Sequence, residues 1–288
     1  MLYIIIPVFN RWLLTQACLS SLRVQSFKQF KIVVVDHGST DETGIAIKNE
    51  FPEVIVLNGT DTMWWTAATN LGVQYALNNS ASYILTLNND LVVESDYIFN
   101  MIKTANHNPN SIIGSISVNI SNHEYIAYAG TKWIEWQAKY SSPVPINIPY
   151  SQFKIIHDLI PTDLLPGRGT LIRSSVFDTI GLYNDAEFPH YMADEEFSLR
   201  ARRAGYSLLV NVKGVVFSHI IDTGLNNLHS GKKGIRYLKD TFTSIRSPNK
   251  IATRWNWAKR SRLPIVYFTL DFGRVFVSQM IKVLKSKS

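Results

Sequence analysis

The first 120 residues alternate short, continuous apolar runs with stretches of helical spacing, and this alternation limits the fold more than any other feature of the chain. The apolar runs fall at 2–8, 30–36, 54–57, 83–87 and 112–118. Helical spacing fills 11–24, 41–50, 67–77 and 95–105. Ser95 is placed to cap the last of these, and Ser39 or Thr40, after Gly38, to cap the second. Strands alternating with helices in this way predict parallel βαβ units and an α/β sheet. Between about 121 and 166 the rhythm breaks at Trp133, Trp136, Pro143, Pro145 and Pro149, which predicts a hairpin and a long loop. Regularity returns with a strand at 169–172, helices at 174–180 and 193–204, and a strand at 208–212.

With 46% hydrophobic and 18% charged residues among 288, the chain can bury a sizeable core. Cys18 is the one cysteine, which excludes an internal disulfide and fits a reducing compartment. The apolar run after Met1 is too short, and lacks the basic flank, for a signal peptide; it reads as a first buried strand. Charge is unevenly spread. Residues 241–288 hold ten basic side chains and one acid, Asp271, for a net +9, leaving 19 basic against 21 acidic in the rest of a chain of net +7. A near-neutral body with a basic tail points to an anionic surface met by the tail alone.

In parallel α/β sheets, ligands bind at the carboxyl ends of the strands. Asn10 follows the first strand, Asp36 ends the second, and Asn88-Asn89-Asp90 ends the fourth. A carboxylate delivered there suits a hard divalent cation, although such a triplet also makes an ordinary turn. Asp36 fits either a turn with Gly38 or an acceptor for the polar edge of a base or ribose.

The segments Ile4-Ile5-Ile6-Pro7-Val8-Phe9-Asn10, Val33-Val34-Val35-Asp36-His37-Gly38-Ser39-Thr40-Asp41 and Asn88-Asn89-Asp90 resemble the nucleotide-sugar-binding half of family 2 glycosyltransferases, which have the GT-A fold. The resemblance implies that Asp36 binds the base and Asp90 the metal bridging the diphosphate. Asn88 stands where many members carry the first Asp, and the Asn-X-Asp form is similar to that of rhamnosyltransferase-like members. Pro7, Asn10, Asn88 and Asn89 join the implied donor site, and Asn70 with Gly72 resembles the family's Asn-X-Gly near the diphosphate. Pro166-Gly167-Arg168-Gly169-Thr170 resembles the small-residue strand lining the donor sugar. The block Ala193-Asp194-Glu195-Glu196 followed by Leu199-Arg200 and Ala204-Gly205-Tyr206 resembles the one that holds the catalytic base. Counting back from Arg200 assigns that role to Asp194, puts Glu196 on the second acidic position, and leaves Ala193 in place of the usual first acid. Chemically, a carboxylate opening a helix stays ionised at the positive end of the dipole and can take a hydroxyl proton, although three acids there also compensate the dipole without any catalysis. His219 resembles the family's histidine ligand and equally suits a structural role. Trp64 and Trp65, at a loop before a helix, can stack on a sugar or pack in the core; with Gly169, Glu195 and Glu196 they complete the sugar-binding candidates.

The expected organisation is a GT-A body over 1–230, with a nucleotide-sugar half over 1–120 and an acceptor half over 121–230, followed by a basic helical tail over 231–288. From 265 to 284 one polar stripe, Asp271, Arg274, Ser278, Lys282 and on to Lys285, leaves a wide apolar face. Asp271 and Arg274 in mid-segment argue against a membrane span, while the mixed Trp and Arg residues of 254–262 suit a lipid headgroup layer; a helix packed into the core or into a dimer is the equal alternative. No nucleic-acid module accompanies these basic residues. The sequence therefore predicts an inverting transferase using Mn2+ or Mg2+. Its donor would be a nucleoside diphosphate sugar such as dTDP-rhamnose or a UDP-sugar. Its acceptor would be a glycan or lipid-linked glycan in surface polysaccharide assembly, met in the cytoplasm at the inner face of the membrane. The rival expectation is a non-catalytic carbohydrate-binding scaffold on the same fold. A nucleotidyltransferase is disfavoured because the first strand is not followed by a Gly-rich triphosphate loop.

Overall fold

The computed structural model describes residues 1–218 and 234–285. Alternate residues of the first strand face opposite sides of one sheet, and both sides are covered. Tyr3 and Ile5 of β1 (Leu2–Val8) pack in one apolar cluster while Leu2, Ile4 and Ile6 pack in another. This double burial explains why the strand reads as an unbroken apolar run.

The parallel part of the sheet consists of β1, β2 (Phe30–Asp36), β3 (Ile55–Asn58) and β4 (Tyr83–Thr86). One face is covered by α1 (Trp12–Arg23), α2 (Thr43–Glu50) and α4 (Tyr97–His107), through Leu19, Leu22, Ile47 and Met101. The other is covered by α3 (Trp65–Asn78), through Ala68, Val73 and Ala76. Gly72 allows this close packing, since a Cβ there would sit 2.4 Å from Ile5 Cγ2. Toward the other edge the sheet becomes mixed. The antiparallel β11 (Thr170–Arg173) separates β4 from β6 (Ser111–Asn119), which runs parallel to β12 (Ser207–Ser218). β10 (Leu159–Pro161) and β5 (Leu91–Val93) pair antiparallel with β12, and β7 (Asn122–Tyr128) with β6. The main path is β10-β12-β6-β11-β4-β1-β2-β3. The predicted hairpin is β8 (Lys132–Ile134) with β9 (Lys139–Ser141), and α5 (Tyr150–Ile156) follows. α6 (Ser174–Ile180) and α7 (Ala193–Arg203) come after β11.

Several boundaries differ from expectation for local reasons. α4 begins at Tyr97 with Asp96 at its N-cap and no side-chain cap; Ser95 instead offers its carbonyl to Ser26 N at 2.7 Å. α2 begins at Thr43, because Ser39 and Thr40 are held by Asn10 rather than by the helix. The two apolar pieces around 208–218 form one strand, with a register irregularity between Asn211 and Val215.

The tail is not an appendage. α8 (Gly234–Thr243), α9 (Ile251–Ala258) and α10 (Pro264–Lys285) close over the sheet, and Trp257 and Tyr267 belong to the larger core cluster. A boundary at 230/231 therefore cuts through a shared core. The polar stripe of α10 is also partly inward. Asp271 is buried on Arg254, and Arg274 donates to the carbonyls of Gln137 and Ala138. Ile265, Val266, Leu270, Phe276, Val277, Ile281 and Leu284 are the exposed large apolar side chains of α10 among the described residues. Among the described residues, no helix is long and apolar enough to cross a membrane.

Candidate active site

The sheet order reverses at β1, which has β2 on one side and β4 on the other. Pairing of β1 with β4 stops at Ile5 and Thr86, while pairing with β2 runs on to Val8 and Asp36. The strand ends diverge there, and a crevice opens at their carboxyl ends, the usual ligand position in such sheets. Pro7 lies beyond the split, buried and opposite Val35, where its missing N–H removes no β4 ladder bond.

On the β1–β2 side the polar groups organise backbone. Asp36 Oδ1 accepts from Ser39 N at 2.9 Å. Asn10, left-handed at φ 59°, accepts at Oδ1 from Thr40 N (2.7 Å) and Asp41 N (3.3 Å). Its own N–H donates to Ser39 Oγ at 2.8 Å. Beside them the exposed Phe9 stacks on His37 at 5.4 Å, and burial holds the His37 imidazole below its ordinary value. This aromatic pair was not singled out in the sequence; its signal was the pair of rings flanking the Asn10 and Asp36 turns.

At the end of β4 the triplet divides its tasks. Asn88 Oδ1 accepts from Trp65 Nε1 at 3.1 Å. Asn89 turns away and donates to Thr15 Oγ1 at 2.9 Å. Asp90 is half-buried, and its carboxylate makes no hydrogen bond or ion pair with any described residue. Buried Cys18 lies nearby: burial, then the charge of Asp90, pushes its thiol up.

Asp194 stands at the start of α7, after Met192 in the left-handed conformation at φ 68°. Its Oδ2 accepts from Gly167 N at 2.7 Å and its Oδ1 from Glu195 N at 3.0 Å. Gly167 in turn lies flat on Trp65, since a Cβ there would fall 2.4 Å from Trp65 Cη2. A continuous line of contacts thus runs from Asn88 through Trp65 and Gly167 to Asp194. Burial, then the charge of Asp194, pushes Glu195 well above the usual carboxylate range.

These groups border a cleft of about 480 Å³ lined by Trp65, Asn88, Arg168, His190, Asp194 and Glu195 on one side. Residues from the tail line the other. His190 was not anticipated; its ring lies 5.5 Å from that of Trp64, and burial, His37 and Arg246 lower it to about 4. Trp64 N-caps α3, with the Arg246 guanidinium 5.7 Å over its ring. Gly169, at φ +80°, donates from N to Thr86 O (2.8 Å) and accepts from Ser115 Oγ (2.7 Å).

Besides Asn89, two further expected site residues are placed elsewhere. Asn70 is buried with both amide atoms on the backbone of Tyr183, at 2.9 and 3.1 Å, so it braces α3 rather than facing the crevice. Glu196 is 2% exposed and paired with Arg200 (2.9 Å) and Arg260 (3.3 Å), because position 196 falls on the inward face of α7. His219 lies outside the described residues. Among the described residues no three His, Cys, Asp or Glu side chains converge as a metal-binding group. The hard oxygen donor of Asp90 fits a cation that takes its remaining ligands from water and substrate phosphates.

A twisted sheet with a strand-end crevice, covered helices on both faces and an acidic helix start across the cleft defines the GT-A class of architecture. The structure of GalNAc-T7 with UDP, GalNAc and Mn2+ matches it with a TM-score of 0.63 at 14% identity, over 95% of this chain and 54% of that one. The sequence profile of glycosyl transferase family 2 matches residues 3–181, and the chain belongs to that family. Glycosyltransferase GlyA of Streptococcus pneumoniae serotype 4 is 34% identical over 103 residues, 35% of this chain and 14% of that protein. An uncharacterized glycosyltransferase of Rickettsia prowazekii is 28% identical over 190 residues, 64% of this chain and 53% of that protein. The chain therefore spans about half or less of the length of these relatives.

Proposed function

We propose that this chain is an inverting glycosyltransferase that moves a sugar from a nucleoside diphosphate donor to an acceptor hydroxyl. The observation that carries this is the contact line Asn88–Trp65–Gly167–Asp194, which joins the end of a nucleotide-binding sheet to an unneutralised carboxylate on one cleft. In the reaction, the acceptor oxygen attacks the anomeric carbon and forms the new C–O bond. The bond from that carbon to the diphosphate breaks, the nucleoside diphosphate leaves with the electron pair, and the hydroxyl proton passes to Asp194. Two backbone N–H groups and the start of α7 hold that carboxylate in place. Asp36, with the Phe9–His37 platform beside it, is placed to receive the base, and Asn88 and Trp65 to meet ribose and sugar. Asp90 is the described side chain that would hold Mn2+ or Mg2+, and the cation would offset charge on the leaving diphosphate.

Thermal shift against a panel of nucleoside diphosphates, with and without Mn2+, tests the reading. A nucleotide-selective, metal-dependent rise in melting temperature is expected, reflecting about 2.7 kcal/mol of added stability at a ligand concentration of 100 Kd. No shift with any nucleotide would favour a scaffold on this fold.

We also propose that the acceptor is carried on a membrane surface. The exposed apolar side chains of α10, Ile265, Val277, Ile281 and Leu284, stand on a segment of net charge +9, the combination that seats a helix in an anionic interface. Full-length protein should sediment with anionic vesicles at low salt, and a variant with Ser at these four positions should remain in solution. Sedimentation unchanged by the substitutions would remove the lipid surface from the account.

A further inference from the structure

The far wall of the cleft combines Tyr140 of the β8–β9 hairpin with Arg254, Trp257 and Asp271 of the tail helices, and its hydrogen bonds leave specific groups free. Tyr267 Oη accepts from the indole N–H of Trp133 and from that of Trp257, each at 3.0 Å. An indole nitrogen only donates, and a phenol oxygen has one proton and two acceptor positions. Both acceptor positions of Tyr267 are therefore filled. Its proton is left for Tyr140 Oη, 3.2 Å away. Tyr140 must be the acceptor in that pair, which frees its own proton to donate elsewhere, and Tyr140 lines the cleft.

Arg254 and Asp271 line the same cleft. Asp271 is 8% exposed and gives Oδ2 to Arg254 Nη1, while its Oδ1 has no partner among the described residues. Arg254 Nη2 donates to Asn249 Oδ1 at 2.6 Å, and its buried Nε has no partner. Burial, then Tyr267, then the charges of Glu195 and Asp271 raise the Tyr140 phenol. A buried donor or acceptor without a partner carries a desolvation cost, which a ligand hydroxyl can relieve. The ion pair cancels its own charge, so the wall suits a neutral ligand with donor and acceptor in one group rather than an anion or a cation.

We propose that Tyr140, Arg254 and Asp271 form the subsite for the acceptor sugar, with the Tyr140 O–H and Arg254 N–H donating to, and Asp271 accepting from, its non-reacting hydroxyls. This rests on reading the cleft as a site of glycosyl transfer. The ligand class is an uncharged glycoside, and the tail helices α9 and α10 set acceptor specificity because they carry two of the three groups.

The test is saturation-transfer NMR with a panel of methyl glycosides, run on full-length protein in the presence of a nucleoside diphosphate that raises its melting temperature. Wild type should bind at least one glycoside. Tyr140→Phe keeps the ring in place and should weaken that binding roughly three- to tenfold, the size of one neutral hydrogen bond, with the nucleotide response unchanged and a modest fall in melting temperature because the Tyr267 proton loses its acceptor. Asp271→Asn should weaken it at least as much. Unchanged affinity in both variants overturns the subsite, as does a wild type that takes the nucleotide but no glycoside. A wild type that takes neither overturns the glycosyl-transfer reading, and this subsite with it.

Discussion

Two regions beside the cleft hold their polar groups by different means. At the β1–β2 strand ends the partners are close in sequence or are backbone amides of one loop: Asp36 with Ser39, and Asn10 with Thr40 and Asp41. Around α7 the partners are far apart and charged. Glu196 of α7 meets Arg260 after α9, and Glu187 in the loop before α7 meets both Lys259 and Arg260. Short-range turns shape a receptor for one ligand with little dependence on the remaining fold. Long-range ion pairs make the acid helix depend on the tail.

That difference predicts how each region fails. The largest effect falls on chemistry. Asp194→Asn should lower turnover by about 10²–10⁴-fold while the nucleotide-induced thermal shift persists, since the amide still accepts from Gly167 N but takes no proton. If Asp194→Asn turns over normally and Glu195→Gln is the inactive variant, the roles of the two acids are reversed.

A smaller effect falls on stability. Arg260→Met leaves Glu187 and the buried Glu196 short of a partner, with an expected cost of about 2–3 kcal/mol. At roughly 2–4 °C per kcal/mol for a chain of this size, the melting temperature should drop by about 5–10 °C. Asp36→Asn should scarcely move it and should instead change which nucleotide binds. The same ion pairs set a pH dependence. Arg260, and then Lys259 against the opposing effect of burial, hold Glu187 at about 2, below its unfolded range. A depressed carboxylate stabilises fully above its unfolded value, so this contribution is complete above about 4.5 and is lost as pH falls toward 2. Melting curves between pH 7 and pH 3 should fall less steeply for Arg260→Met than for wild type; parallel curves would mean that the pairs contribute nothing.

The same contrast explains what was legible in the sequence. Continuous apolar runs revealed the parallel strands because burial on both faces leaves no polar positions in them. Asp36, Asn10 and the triplet ending at Asp90 were legible because strand ends are marked by turn residues. The helical periodicity of α7 put Asp194 at its start; position 196 shares the inward face with Ala193 and Phe197, but that Arg260, 64 residues away, joins Arg200 in pairing Glu196 there was not legible. The tail was only partly legible for the same reason. Its stripe and apolar face left a membrane, dimer or core contact open, and it is the long-range pairs, Asp271 with Arg254 and Arg274 with the carbonyls between β8 and β9, that tie α10 to the body. Asn70 was carried over from a motif, and the backbone of Tyr183 claims it.

If donor wall and base form one site, the contact of Gly167 with Trp65 joins them. Gly167→Ala tests it most directly, because a Cβ 2.4 Å from Trp65 Cη2 forces the ring, the Gly167 N–H or both to move. Nucleotide affinity and single-turnover release of nucleoside diphosphate should be measured on the same folded protein. The account predicts that both fall together, each by about tenfold for the 1–3 kcal/mol such crowding costs. Turnover lost with nucleotide affinity untouched, or neither changed, would contradict a shared site.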